Sequence, residues 1–220
     1  MMQVTVSLVL SVLLSVLVCY LLGSLSFAII VSKCIAKKDI REFGSGNAGM
    51  TNVLRTLGKG PAALTLLGDI GKAVVGVLIS RLLLTYWGRV PEEFLAMFLY
   101  LAGIFVVLGH IYPVYYGFHG GKGIATSAGV LLMVDPIVFV GVVAVFLAVV
   151  LISKIVSLAS ICAAVAAPII TYVSQRLIGA QHPLLDALCV LAFAVLVIIM
   201  HRSNIKRLAN GTENKFGKKK

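Results

Sequence analysis

Charge is scarce in this 220-residue chain and acidic charge scarcest: 12% of the residues are charged, and only 8 are Asp or Glu against 19 Lys or Arg. Soluble domains carry about 25% charged residues. With 60% hydrophobic residues and a mean hydropathy of +1.06, an ordinary water-soluble domain is excluded and a membrane protein is implied. The four cysteines, Cys19, Cys34, Cys162 and Cys189, lack metal-ligand spacing, and three of them lie in apolar runs, so neither a disulfide nor a metal is expected. Internal repeats, coiled-coil heptads and low-complexity stretches are also missing, as is any long loop that could hold a second domain.

What the chain has is long uncharged runs. The first charge is Lys33, and residues 1–32 exceed the ~20 apolar residues needed to cross a bilayer. They carry no basic n-region and no A-x-A cleavage site, which reads as a retained helix. Further runs predict an all-α polytopic bundle of about seven transmembrane helices, near 4–32, 61–84, 94–112, 122–134, 136–152, 156–175 and 184–200, in a single domain spanning 1–220 with a basic tail at 201–220. The fourth helix is short. At about 1.5 Å per residue it covers roughly half of a ~30 Å hydrocarbon core, so it either half-spans or forms one arm of a hairpin turned at Asp135-Pro136.

Charge parity orients the bundle. Fifteen of the 19 basic residues fall on one parity: Lys33, Lys37, Lys38, Arg41, Arg55 and Lys59, Lys122 and Lys154, and the tail from Arg202 to Lys220. The positive-inside rule places them in the cytoplasm, with the N-terminus out and the C-terminus in. Lys218 to Lys220 read as a headgroup-attracted tail that makes membrane lipids partners; no nucleic-acid partner is expected.

Three polar segments share that parity. The first, Glu42 to Gly58, holds Gly44, Gly46 and Gly49, which allow N–H groups to converge, together with Ser45, Asn47, Thr51, Asn52 and Arg55; Thr51-Asn52 is expected to cap a short helix carrying Arg55. Such a set cradles an anion. The second, Gly117 to Thr126, puts Gly120, Gly121, Lys122 and Gly123 just before the fourth helix, where a phosphate meets N–H groups, the positive helix end and a lysine charge. It is not a Walker A loop, because Tyr116 stands at the first glycine position and Gly123 follows Lys122. The third, His201 to Glu213, sets His201 and Asn204 on one helical face. Its basic residues equally suit a stop-transfer flank, which leaves His201, Asn204 and Glu213 unexplained.

Asp69 is an outlier inside the second apolar run, where a carboxylate costs roughly 2.5–3.5 kcal/mol on insertion scales. Lys72, one turn on, is its natural partner; the pair serves either helix packing or the support of Arg55 or Lys122. His110, with Tyr112, Tyr115 and Tyr116, reads as an interfacial aromatic belt around Pro113.

Catalytic signatures are missing too. There is no H-E-x-x-H, G-x-S-x-G or paired-carboxylate motif, nor the H-x4-D spacing of many acyl-CoA-using glycerolipid acyltransferases. A phosphate or organophosphate transporter is the alternative class, but it needs its site near the bilayer midplane and not at helix ends on one side.

Gly44-Ser-Gly-Asn with Thr51-Asn and Arg55, Gly120-Gly-Lys-Gly with Ala125-Thr126, and His201-Arg-Ser-Asn-Ile with Asn210-Gly-Thr-Glu resemble the three motifs of the bacterial acyl-phosphate:glycerol-3-phosphate acyltransferase family. The resemblance runs from about Gly23 to Phe216; Met50 replaces a commonly smaller residue and the lysine-rich end extends past the motif. It implies a multi-pass enzyme of the bacterial inner membrane with a cytoplasmic active site. Such an enzyme moves an acyl group from acyl phosphate to the 1-hydroxyl of glycerol 3-phosphate, giving lysophosphatidate and phosphate, the first acylation of phospholipid synthesis. Neither a cofactor nor acyl-CoA or acyl carrier protein as direct donor is implied. On this resemblance Lys122 and Gly120 to Gly123 bind a phosphate, most naturally that of glycerol 3-phosphate. Ser45 and Arg55 hold the acyl-phosphate end or the oxyanion, with Gly46, Asn47, Thr51 and Asn52 completing the set. His201 and Asn204 orient the glycerol hydroxyl, the proton going to His201 or to the substrate's own phosphate. Asp69, Lys72 and Glu213 support.

Overall fold

The structure, a computed structural model, describes residues 5–215, so Lys218 to Lys220 lie outside the described residues. Ten α-helices and three short 3-10 or π turns make up the described chain, with no strand among them. Six helical stretches are long and apolar enough to cross a membrane, namely Val6–Ala36, Lys59–Trp87, Glu92–Tyr116, Pro136–Ser153, Val156–Leu177 and Pro183–Met200. A shorter apolar helix, Ile124–Val134, accompanies them. The molecule is an all-helical, multi-pass membrane protein.

The chain divides at Val134/Asp135 into two compact units. In the first, α1 (Val6–Gly23) packs on α5 (Glu92–Ile111) and α4 (Lys59–Leu82), and α4 also packs on α6 (Ile124–Val134). Close crossings need glycine. A Cβ on Gly23 would lie 2.2 Å from Val106 O, and one on Gly109 2.3 Å from Tyr20 O, so α1 and α5 meet backbone to backbone. Gly129 does the same for α6, whose Cβ would sit 2.6 Å from Ile70 O of α4. Small residues are how helices approach closely where lipid supplies no hydrophobic drive.

The single helix expected over 4–32 is broken. α1 ends at Gly23 and α2 (Phe27–Ala36) begins after Ser24-Leu25-Ser26. Side chains satisfy the interruption: Ser24 Oγ donates to Tyr20 O (2.9 Å) and accepts from Val114 N (3.3 Å), while Leu25 O accepts from Lys72 Nζ at 2.7 Å. An amphipathic helix, α3 (Met50–Leu57), precedes α4, with Asn52 and Val53 buried and Arg55 and Thr56 exposed.

In the second unit α8 (Val156–Leu177) packs against both α7 (Pro136–Ser153) and α9 (Pro183–Met200). Its buried face is small: Ser157, Ala159, Ser160, Ala163, Ala164, Ala167 and Thr171. Asp135 starts α7 by accepting from Val138 N (3.1 Å), with Pro136 in the first turn where its missing N–H costs nothing. The other Asp135 oxygen accepts from Gln175 Nε2. α10 (Arg202–Ala209) continues beyond α9 after a bend at His201.

Candidate active site

The first polar segment is built around one asparagine. Asn52 is 1% exposed; its Nδ2 donates to Ile40 O (3.1 Å) and Phe43 O (2.9 Å), and its Oδ1 accepts from Ser45 N (2.9 Å). The cap expected of Thr51-Asn52 is therefore replaced by a staple. Gly49 is the N-cap of α3, and Asn52 lies inside the helix, holding the preceding loop from below. Gly44 and Gly46 adopt left-handed conformations (φ 59° and 70°), and a Cβ on Gly44 would strike Asn52 Oδ1 at 2.2 Å. Ser45 sits exposed between them. The Asn47 amide lies over Gly49, whose added Cβ would be 2.9 Å from Nδ2.

Arg41 joins this segment to the second one. Asp39 caps the 3-10 turn Ile40–Glu42 and binds Arg41 in a fork, Nε to Oδ1 at 3.1 Å and Nη2 to Oδ2 at 2.9 Å. The third arm, Nη1, donates to Tyr116 O (2.8 Å) and His119 O (3.1 Å). The hydrogen bond from Arg41 holds the Asp39 carboxyl below the usual carboxylate range, and the same pairing raises Arg41.

The glycine run of the second segment folds back on α5. Gly120 N donates to Ile111 O (3.0 Å) and Gly121 N to His110 O (3.1 Å). Two of the N–H groups expected to meet a phosphate are thus engaged by the protein. No side chain fits at the glycines of the run. A Cβ on Gly120 would be 2.0 Å from His110 O; on Gly121, 2.2 Å from His110 Nε2 and 2.6 Å from Ala48 O; and Gly123 is left-handed (φ 85°) against Val107. Ala48 belongs to the first segment, so the two loops interlock at Gly121.

Beneath them lies a buried ionic cluster. Lys72 Nζ is 2.9 Å from Asp69 Oδ1 and 3.0 Å from His110 Nδ1, and all three residues are at most 4% exposed. The Asp69–Lys72 pair follows from the sequence; His110 does not. It is buried in the last turn of α5 and is no part of an interfacial belt, because the chain turns back over it at Gly120-Gly121.

In the second unit His201 (3% exposed) and Asn204 (5% exposed) are buried one helical turn apart. His201 Nδ1 lies 2.8 Å from Val197 O; a carbonyl only accepts, so Nδ1 carries the proton and Nε2 is the acceptor edge. Asn204 Nδ2 donates to Glu213 Oε1 (3.0 Å) and Arg207 Nε to Glu213 Oε2 (2.8 Å), which folds the segment after α10 back onto it. Sequence gives none of Arg41, Asp39 and His110 a place in the site: Arg41 reads as one more topology charge and His110 as part of a belt, although a carboxylate two residues before Arg41 is a local pairing signal.

A family profile described as Glycerol-3-phosphate acyltransferase matches residues 13–211. A Glycerol-3-phosphate acyltransferase of Clostridioides difficile is 49% identical over 203 residues, covering 92% of this chain and 94% of its own; that of Halalkalibacterium halodurans is 43% identical, covering 91% and 93%. Among solved structures, PlsY (YgiH), an integral membrane glycerol 3-phosphate acyltransferase, superposes in its glycerol 3-phosphate form with a TM-score of 0.79 at 36% identity, covering 94% of this chain and 96% of that one. Its lysophosphatidic acid form gives a TM-score of 0.77. A profile matching nearly the whole chain, on a helical frame that presents interlocked glycine loops, makes this chain a member of the glycerol-3-phosphate acyltransferase family.

Proposed function

We propose that the acyl donor is an acyl phosphate and that the product is 1-acyl-glycerol 3-phosphate, the first acylation of phospholipid synthesis. The observation that supports this reading is the pair of glycine loops meeting at Gly121, with Ser45 exposed on one and Lys122 on the other and no nucleophile–base dyad among their residues. An acyl phosphate is an activated mixed anhydride, so the protein holds two anions and stabilises charge without forming an acyl-enzyme. The solved relative has forms with glycerol 3-phosphate and with lysophosphatidic acid, which supports the same substrate and product here.

In this reading Lys122, Gly123 and the N-terminus of α6 take the glycerol 3-phosphate phosphate. Ser45, with Gly46, Asn47 and Thr51, and Arg55 on α3 hold the acyl phosphate and its developing oxyanion. Asn52 builds the loop from within. From the motif resemblance, His201 and Asn204 of the third segment are assigned to orienting the glycerol 1-hydroxyl, its proton going to His201 or to the substrate's own phosphate, with Glu213 supporting Asn204. The hydroxyl oxygen bonds to the acyl carbon, the bond from that carbon to the phosphate oxygen breaks, and phosphate leaves with the electron pair. The enzyme works from the cytoplasmic face of the bacterial inner membrane.

The test is purified protein in lipid nanodiscs with palmitoyl phosphate and glycerol 3-phosphate. Lysophosphatidate is expected with acyl phosphate and not with palmitoyl-CoA or acyl carrier protein as sole donor; the reverse pattern overturns the donor. For His201→Ala a fall in kcat of roughly 100-fold or more is expected, and a near-normal kcat removes it as the base.

A further inference from the structure

Lys72 Nζ donates to Leu25 O at 2.7 Å, pairs with Asp69 Oδ1 at 2.9 Å and lies 3.0 Å from His110 Nδ1. His110 Nδ1 is also 3.4 Å from Asp69 Oδ1, so both members of the ion pair face one edge of the ring and leave the Nε2 edge turned away from them. That edge is the one lying over the Gly121 Cα, where an added Cβ would come within 2.2 Å of it. Ala48 O lies 2.6 Å from the same Cβ position, so Gly121 is hemmed in by both, and Lys122 and Gly123 follow directly before α6. The cluster therefore runs from the helix break at Leu25, through α4, to the underside of the glycine loop.

We propose that His110, oriented by Lys72 and Asp69, is a positioning residue for glycerol 3-phosphate: its Nε2 edge sets the height of the Gly121 backbone and thereby the placement of Lys122 and Gly123. A cluster serving helix packing alone would need an ion pair, and Asp69–Lys72 already supplies one. What the imidazole adds is a rigid, two-ended spacer with one ring nitrogen toward the ion pair and the other toward the loop. Displacing a loop by an ångström is enough to impair binding severely. The proposal rests on the assignment of the glycerol 3-phosphate phosphate to Lys122.

The experiment measures KM for each substrate and kcat in nanodiscs for wild type, His110→Phe, His110→Gln, Gly121→Ala and Lys122→Ala, with melting temperatures alongside. His110→Phe is expected to raise KM for glycerol 3-phosphate about tenfold or more, leaving that for acyl phosphate within about twofold and kcat within about threefold. His110→Gln keeps a polar side chain that both donates and accepts, and recovers KM to within about threefold. A folded His110→Phe with wild-type KM overturns the proposal. So does a parallel loss of all constants and of melting temperature in both His110 variants, the pattern of a purely structural role. Should His110→Phe not fold, Gly121→Ala carries the test from the other side with all three buried polar groups intact: the same rise in KM is expected, and an unchanged KM overturns it. An unchanged glycerol 3-phosphate KM in Lys122→Ala sinks the assignment on which the proposal rests. A raised KM there beside an unchanged one in His110→Phe sinks the positioning role alone.

Discussion

Asp69 is tolerable in an apolar helix because its counter-charge is one turn away, with Lys72 Nζ 2.9 Å from Oδ1. Removing one partner of a buried pair strands the other, so Asp69→Ala should destabilise the protein by about 3–5 kcal/mol, read as a fall in melting temperature in detergent. Asp39 behaves differently, being part-buried in the loop before a 3-10 turn. Its folded carboxyl titrates lower than in the unfolded chain because Arg41 donates to it, so its contribution is complete above the unfolded value and disappears as pH falls through the folded one. The Arg41 tie to Tyr116 and His119 should accordingly hold from neutral pH down to the ordinary carboxylate range and loosen only in stronger acid. Hydrogen exchange across 114–121 measures this, with Asp39→Asn loose at every pH. The sequence shows Asp69 and Lys72 as a pair since both lie on one helix. It does not show His110 as their neighbour, because that contact spans 38 residues and depends on how α5 crosses α4.

Helices were the most legible elements, for an uncharged run must satisfy its own backbone in lipid and only a helix does so alone. The break at Ser24-Leu25-Ser26 was not legible: its stabilising contacts come from Lys72 and Val114, 47 and 90 residues away. The short helix of the fourth run was legible from length alone and appears as the 11 residues of α6. Glycines divide by what faces them. Gly109 meets Tyr20 O, so Gly109→Val should overpack the α1–α5 crossing and cost about 1–3 kcal/mol or more. Gly71, in the middle of α4, has nothing within 4 Å of an added Cβ. Gly71→Ala should then stabilise by about 0.5–1 kcal/mol through helix propensity. Paired melting curves of the two variants check both signs.

For the molecule as a whole, fold class and family were readable from runs and motifs, because membrane spans and glycine loops leave local marks. The roles of buried supports were not, since they depend on packing between distant helices. Orientation is a prediction of charge parity. In a Cys34→Ser background, a cysteine at exposed Thr56 should resist membrane-impermeant maleimide in intact cells and react after lysis; labelling from outside would reverse the topology. The glycine run, finally, is also the cap of α5, since Gly120 N and Gly121 N hold the carbonyls of Ile111 and His110. With the glycerol 3-phosphate phosphate at Lys122, as proposed, ligand occupancy and fraying of a helix end are one linked equilibrium. A ligand at about 100 times its Kd adds about 2.7 kcal/mol to the opening of whatever it requires closed. Amide exchange at Gly120 and Gly121 thus becomes a label-free gauge of site occupancy, slowing with glycerol 3-phosphate in the wild type and staying unchanged in Lys122→Ala.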